Sequence, residues 1–193
     1  CALPISFQAA AKRPRKKLTS ITKSNAQTFG MTLWDECYNA VRKDFPEVTS
    51  SSLLVDAAAM DFVRKPESFD VVVASNLFGD ILSDLGPACA GTIGIAPSAN
   101  LNPERKFPSL FEPVHGSAPD IAGRGIANPI GQIWSAALML EFLGHQAAHD
   151  AILDAIKAVL AAGPAHAPLT RDLGGTAGTT DLGRAIAEVV ARG

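Results

Sequence analysis

The stretch that most restricts the fold is Phe69-Asp70-Val71-Val72-Val73-Ala74-Ser75, a nearly unbroken apolar run. It leads without a loop into Asn76-Leu77-Phe78-Gly79-Asp80-Ile81-Leu82-Ser83-Asp84-Leu85, which carries helical spacing. A strand apolar at successive positions must be covered on both faces, as strands of parallel sheets are. The pattern is expected twice more, upstream. Leu18–Thr22 reads as a strand, followed by a helix capped by Thr32, striped with Leu33, Trp34, Cys37, Val41 and Phe45, and stopped by Pro46. Ser51–Val55 reads as another strand, with Asp56 at its exit and a short helix to Val63. Strand–helix alternation of this kind predicts an α/β architecture.

From Gly86 to Gly131 glycine and proline punctuate the chain, and short apolar pieces (Ile93–Ala96, Leu110-Phe111) predict an ordered loop region. Asn128 is expected to cap a helix with Pro129 at its first position and Gly144 at its end. Two amphipathic helices should follow, one on Ile152, Ala155, Ile156, Val159 and Leu160, the other on Leu182, Ile186, Val189 and Val190.

With a net charge of −2 over 193 residues, no global field draws the chain to nucleic acid. The one dense basic run, Lys12-Arg13-Pro14-Arg15-Lys16-Lys17, is read as a solvated approach to a strand. No apolar run is long enough to cross a bilayer. Cys1, Cys37 and Cys89 are few and scattered, read as buried or incidental thiols, and a reducing, cytoplasmic setting is expected. The chain does not open on Met, and residues 1–12 are read as an uncertain start, truncated or non-native, above all Cys1-Ala2-Leu3-Pro4-Ile5.

Asp80 and Asp84 stand four apart and so share a helical face. With Leu77, Phe78, Ile81 and Leu85 as the apolar stripe, Asp84 is expected at its edge, turned toward protein. A third oxygen donor from Asp56 would suit Mg²⁺ or Mn²⁺. On spacing alone the pair fits equally a favourable interaction with the helix dipole. Lys23, after the first strand, lies where clefts form at carboxyl ends of strands, yet a lone lysine there is also an ordinary surface residue. His145 and His149, four apart but without a metalloprotease motif, are read as solvated.

The run Asn76–Ser98 resembles the signature of the isocitrate and isopropylmalate dehydrogenases, the β-decarboxylating dehydrogenase family, and the likeness extends from about Arg13 to near the C-terminus. The resemblance implies an isopropylmalate dehydrogenase-like α/β fold, the chain being the C-terminal part of a two-domain subunit. It implies a substrate and dimerisation part over 13–90 and an NAD-binding part over 91–193. It assigns a divalent metal (Mg²⁺ or Mn²⁺) to Asp80, Asp84 and Asp56, with Asp56 and the proton-transferring Lys23 reaching across a homodimer. Asn25 is expected near the nicotinamide. The segment Glu112-Pro113-Val114-His115-Gly116-Ser117-Ala118-Pro119-Asp120, closed by Asn128, looks like the family's adenine-side cofactor loop. There is no Gly-x-Gly-x-x-Gly fingerprint after a strand. Asp120 favours NAD over NADP, since a carboxylate accepts from ribose hydroxyls and repels a 2′-phosphate.

Ala74–Leu77, Gly86–Cys89, Asn100–Glu104 and Phe107–Phe111 are similar to the branch of the family acting on tartrate or D-malate. Oxidation of a 2-hydroxy dicarboxylic acid, with decarboxylation, is therefore expected. The alternatives are an isopropylmalate substrate or a fragment that dimerises without catalysis. Tyr38 does not match the family's proton-donating tyrosine, and no nucleic-acid or membrane partner is expected.

Overall fold

The computed structural model describes residues 2–192. The chain divides into two compact units, Cys1–Cys89 and Ala90–Gly193. Cys1 lies outside the described residues.

The first unit is a three-layer α/β/α sandwich around a parallel sheet. Strand β1 (Lys17–Thr22) is central, flanked by β2 (Thr49–Leu54) and β3 (Val71–Val73), in the order β2-β1-β3. The register runs Thr22↔Leu54 on one side and Leu18↔Val71 on the other. Side chains alternate across the sheet. Leu18, Val71 and Val73 meet helices α1 (Ala2–Lys12) and α2 (Gly30–Arg42) on one face. Ile21 and Val72 meet α3 (Val55–Arg64) and α4 (Asn76–Cys89) on the other. The valine run thus has cover on both faces, as its composition requires. The strand itself is shorter than the apolar run, spanning Val71–Val73.

Residues 2–12 form α1 and turn one side to the core: Leu3, Phe7 and Ala10 are buried, and Phe7 stacks between Tyr38 and Phe45. Burying a phenylalanine this fully contributes about 1.5–3 kcal/mol. Thr32 does not cap α2. It lies inside the helix and donates back to the Thr28 carbonyl at 2.5 Å. The buried stripe of α2 runs through Met31, Trp34 and Tyr38, while Leu33 and Cys37 face outward. Cys37 and Cys89 are both exposed.

The basic run is exposed and leads into β1 as expected, and three of its cations also find partners. Arg13 pairs with Asp70, Arg15 donates to the carbonyls of Glu67 and Phe69 at 2.8 Å, and Lys17 Nζ donates to the Ser68 carbonyl at 2.6 Å. The cations satisfy the backbone of a short 3₁₀ turn (Pro66–Ser68) before β3 and set where that strand begins. Burial pushes the Asp70 carboxyl up, but the Arg13 and Lys17 hydrogen bonds prevail and hold it below the usual range.

The second unit pairs β4 (Pro97–Asn100) antiparallel with β5 (Leu110–Pro113), and packs α5 (Ile130–Phe142), α6 (Gln146–Ala162) and α7 (Thr179–Val190) around a second core. Ile130, Ile156, Leu182 and Ile186 are its buried centre. Asn128 Oδ1 accepts from Ile130 N at 2.9 Å, though Pro129 itself stands at the cap and the helix starts one residue later. Gly131 lets α5 approach the 94–96 turn: a β-carbon there would fall 2.9 Å from the Gly94 carbonyl oxygen. Gly144 follows the helix at φ +94°, a conformation that favours glycine. His145 is exposed, whereas His149 is buried, with Nδ1 2.9 Å from Asp150 Oδ1 and Nε2 3.8 Å from Glu141 Oε2. The solvated reading of His149 is corrected, because it seats on the inner side of α6. Among the described residues no helix is long and apolar enough to cross a membrane.

Candidate active site

In the first unit the chemistry gathers at the carboxyl ends of neighbouring parallel strands, where backbone groups leave the sheet and side chains are free to converge. Lys23 follows the last residue of β1, and Asp56 lies in the first turn of α3, directly beyond β2. Because Thr22 and Leu54 are register partners, the two side chains start side by side. Lys23 Nζ donates to Asp56 Oδ1 at 2.6 Å, with the lysine a quarter exposed and the aspartate two-thirds exposed. That hydrogen bond is the main reason the Asp56 carboxyl is held below its ordinary value. Asn25 is exposed in the turn after Lys23, whose carbonyl accepts from Ala26 N and Gln27 N.

Asp80 and Asp84 are on α4, but not where the apolar stripe was expected to put them. The buried side of α4 is Phe78 and Leu82, while Leu77 and Ile81 are 59% and 54% exposed. Both carboxylates therefore stand on the open face, flanking Ile81. Among the described residues neither has a side-chain hydrogen bond or ion pair, so their oxygens are free for a hard cation. Among the same residues no three acidic, His or Cys side chains lie close enough together to hold one. Asp56 is engaged with Lys23 and does not join the α4 pair within the chain.

In the second unit a cavity of about 280 Å³ is lined by His115, Ala118 and Asn128, with Ile121 and Ile126 as apolar walls. Ala118 sits at φ +42°, ψ +63°, a left-handed conformation unusual for a residue with a β-carbon, and Gly116 precedes it at φ +65°. His115 Nδ1 lies 2.8 Å from the Gly116 carbonyl oxygen. Glu112 on β5, Ser117 and Asp120 are exposed and do not line the cavity.

Two residues that the sequence did not flag complete this pocket. Asp172 Oδ2 accepts from Thr92 Oγ1 at 2.7 Å and from Asn128 Nδ2 at 2.9 Å. Since Asn128 Oδ1 is occupied by Ile130 N, its amide is fixed from both ends. Burial raises the Asp172 carboxyl, but the polar groups around it, from Thr170, Asn128 and Thr92, outweigh that and leave it below its ordinary value. No local spacing betrays a pair 80 residues apart.

The first unit thus sets a lysine–carboxylate pair at the ends of its parallel strands and two exposed carboxylates on a neighbouring helix. The profile of the isocitrate/isopropylmalate dehydrogenase family matches residues 3–186, and the chain belongs to that family. It is 56% identical over 195 residues to the decarboxylating D-malate dehydrogenase of Escherichia coli, and 58% identical over 196 residues to the tartrate dehydrogenase/decarboxylase of Pseudomonas putida. Each match takes in 98% of this chain and 53% of the relative, so the chain spans about half the length of the relatives it matches. Among solved structures it superposes on isocitrate dehydrogenase from Methylococcus capsulatus with a TM-score of 0.90 at 38% identity, over 97% of this chain and 54% of that one. A β-decarboxylating dehydrogenase from Thermococcus kodakarensis gives 0.83 at 38% identity, over 97% and 53%.

Proposed function

We propose that the chain forms part of an NAD-dependent, divalent-metal-dependent dehydrogenase that oxidises and decarboxylates a 2-hydroxy dicarboxylic acid, D-malate or tartrate. The observation that carries this reading is identity of 56% and 58% to enzymes named for those two substrates. The Lys23–Asp56 pair and the free carboxylates of Asp80 and Asp84 supply the chemistry it needs.

Asp80 and Asp84 fit two places of a hard-cation site, being unpaired oxygen donors one helical turn apart. A third donor has to come from outside this arrangement, and Asp56 of a second copy is the proposed source. Each of α3 and α4 shows an exposed apolar pair, Met60 with Val63 and Leu77 with Ile81, which favours a homodimer through these helices. The bound ion would polarise the substrate oxygens, and bound NAD would take up the hydride.

The chain's own residues do the rest. Lys23 Nζ is the group placed to move the hydroxyl proton, which it can accept only as the neutral amine, and Asp56 Oδ1 orients it through the 2.6 Å contact. Asp120 and Asn25 accept from or donate to the dinucleotide's ribose and nicotinamide ends. His115, Ala118 and Asn128 shape the pocket for its adenosine end, and Ile121 and Ile126 keep water from it.

The test is a chimera in which this chain replaces the matched segment of the Escherichia coli relative. Metal-dependent reduction of NAD with D-malate or tartrate is the expected result. A folded, dimeric chimera that reduces NAD with neither acid would overturn the proposal and leave a dimerising module.

A further inference from the structure

The turn that carries Lys23 and Asn25 has little of its own to hold it. Residues 25–30 are exposed, Phe29 to 91%. Inside the turn, Ala26 N and Gln27 N donate to the Lys23 carbonyl, and Ser24 N donates to Thr22 Oγ1 at 3.3 Å. Helix α2 then starts without a side-chain cap. A surface segment of this kind takes its course from the rigid elements at its two ends.

Those ends are β1 and the first turns of α2, and a side-chain hydrogen bond joins them. Trp34 Nε1 donates to Ser20 Oγ at 2.9 Å. Ser20 is fully buried and stands two residues before the end of β1. Among the described residues no other side-chain hydrogen bond links α2 to β1. An indole N–H turned toward a core takes an acceptor there, and this one takes it from the strand that leads into Lys23. Trp34 also packs against both cores of the first unit, and Met31, three residues earlier, is buried in the far-face core with Ile21 and Phe78.

We propose that Trp34 is a positioning residue: through Ser20 it fixes the start of α2 over the end of β1, and with it the path of the turn from Lys23 through Asn25. The β1–β2 register brings Lys23 beside Asp56, and the tether governs the residues that follow. The catalytic consequence rests on the proposed roles of Lys23 and Asn25. The tether itself rests on the indole hydrogen bond, the uncapped helix start and the exposed turn.

Trp34→Phe keeps an aromatic ring and loses the donor, while Ser20→Ala loses the acceptor and disturbs packing least. In this chain each should speed amide exchange at Ala26, Gln27 and Met31 about five- to tenfold by NMR, the factor that one lost hydrogen bond makes in a local opening equilibrium. The double variant should go no further than Trp34→Phe alone, since both changes remove the same bond. The β1 amides of Ile21 and Thr22 should be unaffected. Tyr38→Phe is the comparison: it removes the Tyr38 Oη bond to the Ser51 carbonyl of β2, one helical turn farther on, and should leave the turn's exchange unchanged. In the chimera, Ser20→Ala should lower kcat about tenfold or more and change KM for the acid less than about twofold, the mark of misplaced reacting groups. Turn exchange indifferent to Ser20→Ala, additive effects of the two variants, or an equal response to Tyr38→Phe would overturn the tether. An unchanged kcat would overturn its positioning role. A chimera inactive before any substitution would sink the proposed function, and the exchange result would still decide whether the tether exists.

Discussion

Lys23 and Asp56 are held 2.6 Å apart because the strands that carry them, β1 and β2, end on the same register pair, Thr22 and Leu54. Neither side chain needs a long-range contact to find the other. The parallel ladder aligns them, and the Asp56 carboxyl is held below its usual range by the lysine's hydrogen bond.

Lys23→Met should therefore move Asp56 upward toward the ordinary carboxylate value, as read by carbon-13 titration of its carboxyl resonance. In the wild-type chain the pair is intact above the ordinary carboxylate range, and is lost only as pH falls through the lowered value. A titration of Asp56 that ignores the substitution would show that the pair does not persist in solution. In the chimera with the Escherichia coli relative, the same variant should lower kcat by roughly 10²–10⁴, the range for a lost proton-transfer group.

Asp80→Asn removes one of two adjacent anionic oxygen donors from an exposed face and leaves packing untouched. The Mn²⁺ concentration for half-maximal activity of the chimera should rise by at least about tenfold, with little change in the unfolding midpoint. An unaltered metal requirement would remove Asp80 from the site.

Asp172→Ala removes the one oxygen that accepts from both Thr92 and Asn128. Loss of one such hydrogen bond is worth about 1 kcal/mol at this partly exposed position. The expected results are a lower urea midpoint and weaker NAD binding by calorimetry, since Asn128 loses one of its two tethers. The stabilising contribution of Asp172 is fully present above the ordinary carboxylate range and falls away as pH drops through its lowered value. Unchanged NAD affinity would mean that the tether does not shape the pocket.

Arg15→Ala should destabilise the first unit by about 1 kcal/mol, because the Glu67 and Phe69 carbonyls lose their guanidinium partner before β3. Urea unfolding would measure it. Duplex DNA at low salt should bind neither form, because Arg13 and Lys17 are engaged with Asp70 and the protein's own backbone.

The parallel sheet was legible because Val71–Val73 can be satisfied only with cover on both faces, and β2 and β3 lead promptly into their helices. The faces of those helices were less so. Leu77 and Ile81 have the hydropathy of core residues, and periodicity cannot say which of two apolar stripes a fold will bury. The same ambiguity turned Leu33 and Cys37 outward while Met31 and Tyr38 went in. The partners of the basic run were not legible, because charge density is visible in a sequence but the carbonyls it meets, 52 and 54 residues on, are not. Lys23, Asp56, Asp80 and Asp84 were singled out through contiguous motifs resembling a family. Asp172 carries no such motif and reaches Thr92 and Asn128 only through the fold.

Each compact unit packs one tryptophan against its own core, Trp34 in the first and Trp134 in the second. The chain has only these two, and its sole tyrosine, Tyr38, lies beside the first. Replacing either indole with phenylalanine would leave a single emitter reporting on one unit, so fluorescence could follow the melting of each separately and reveal whether the halves denature in concert or in turn.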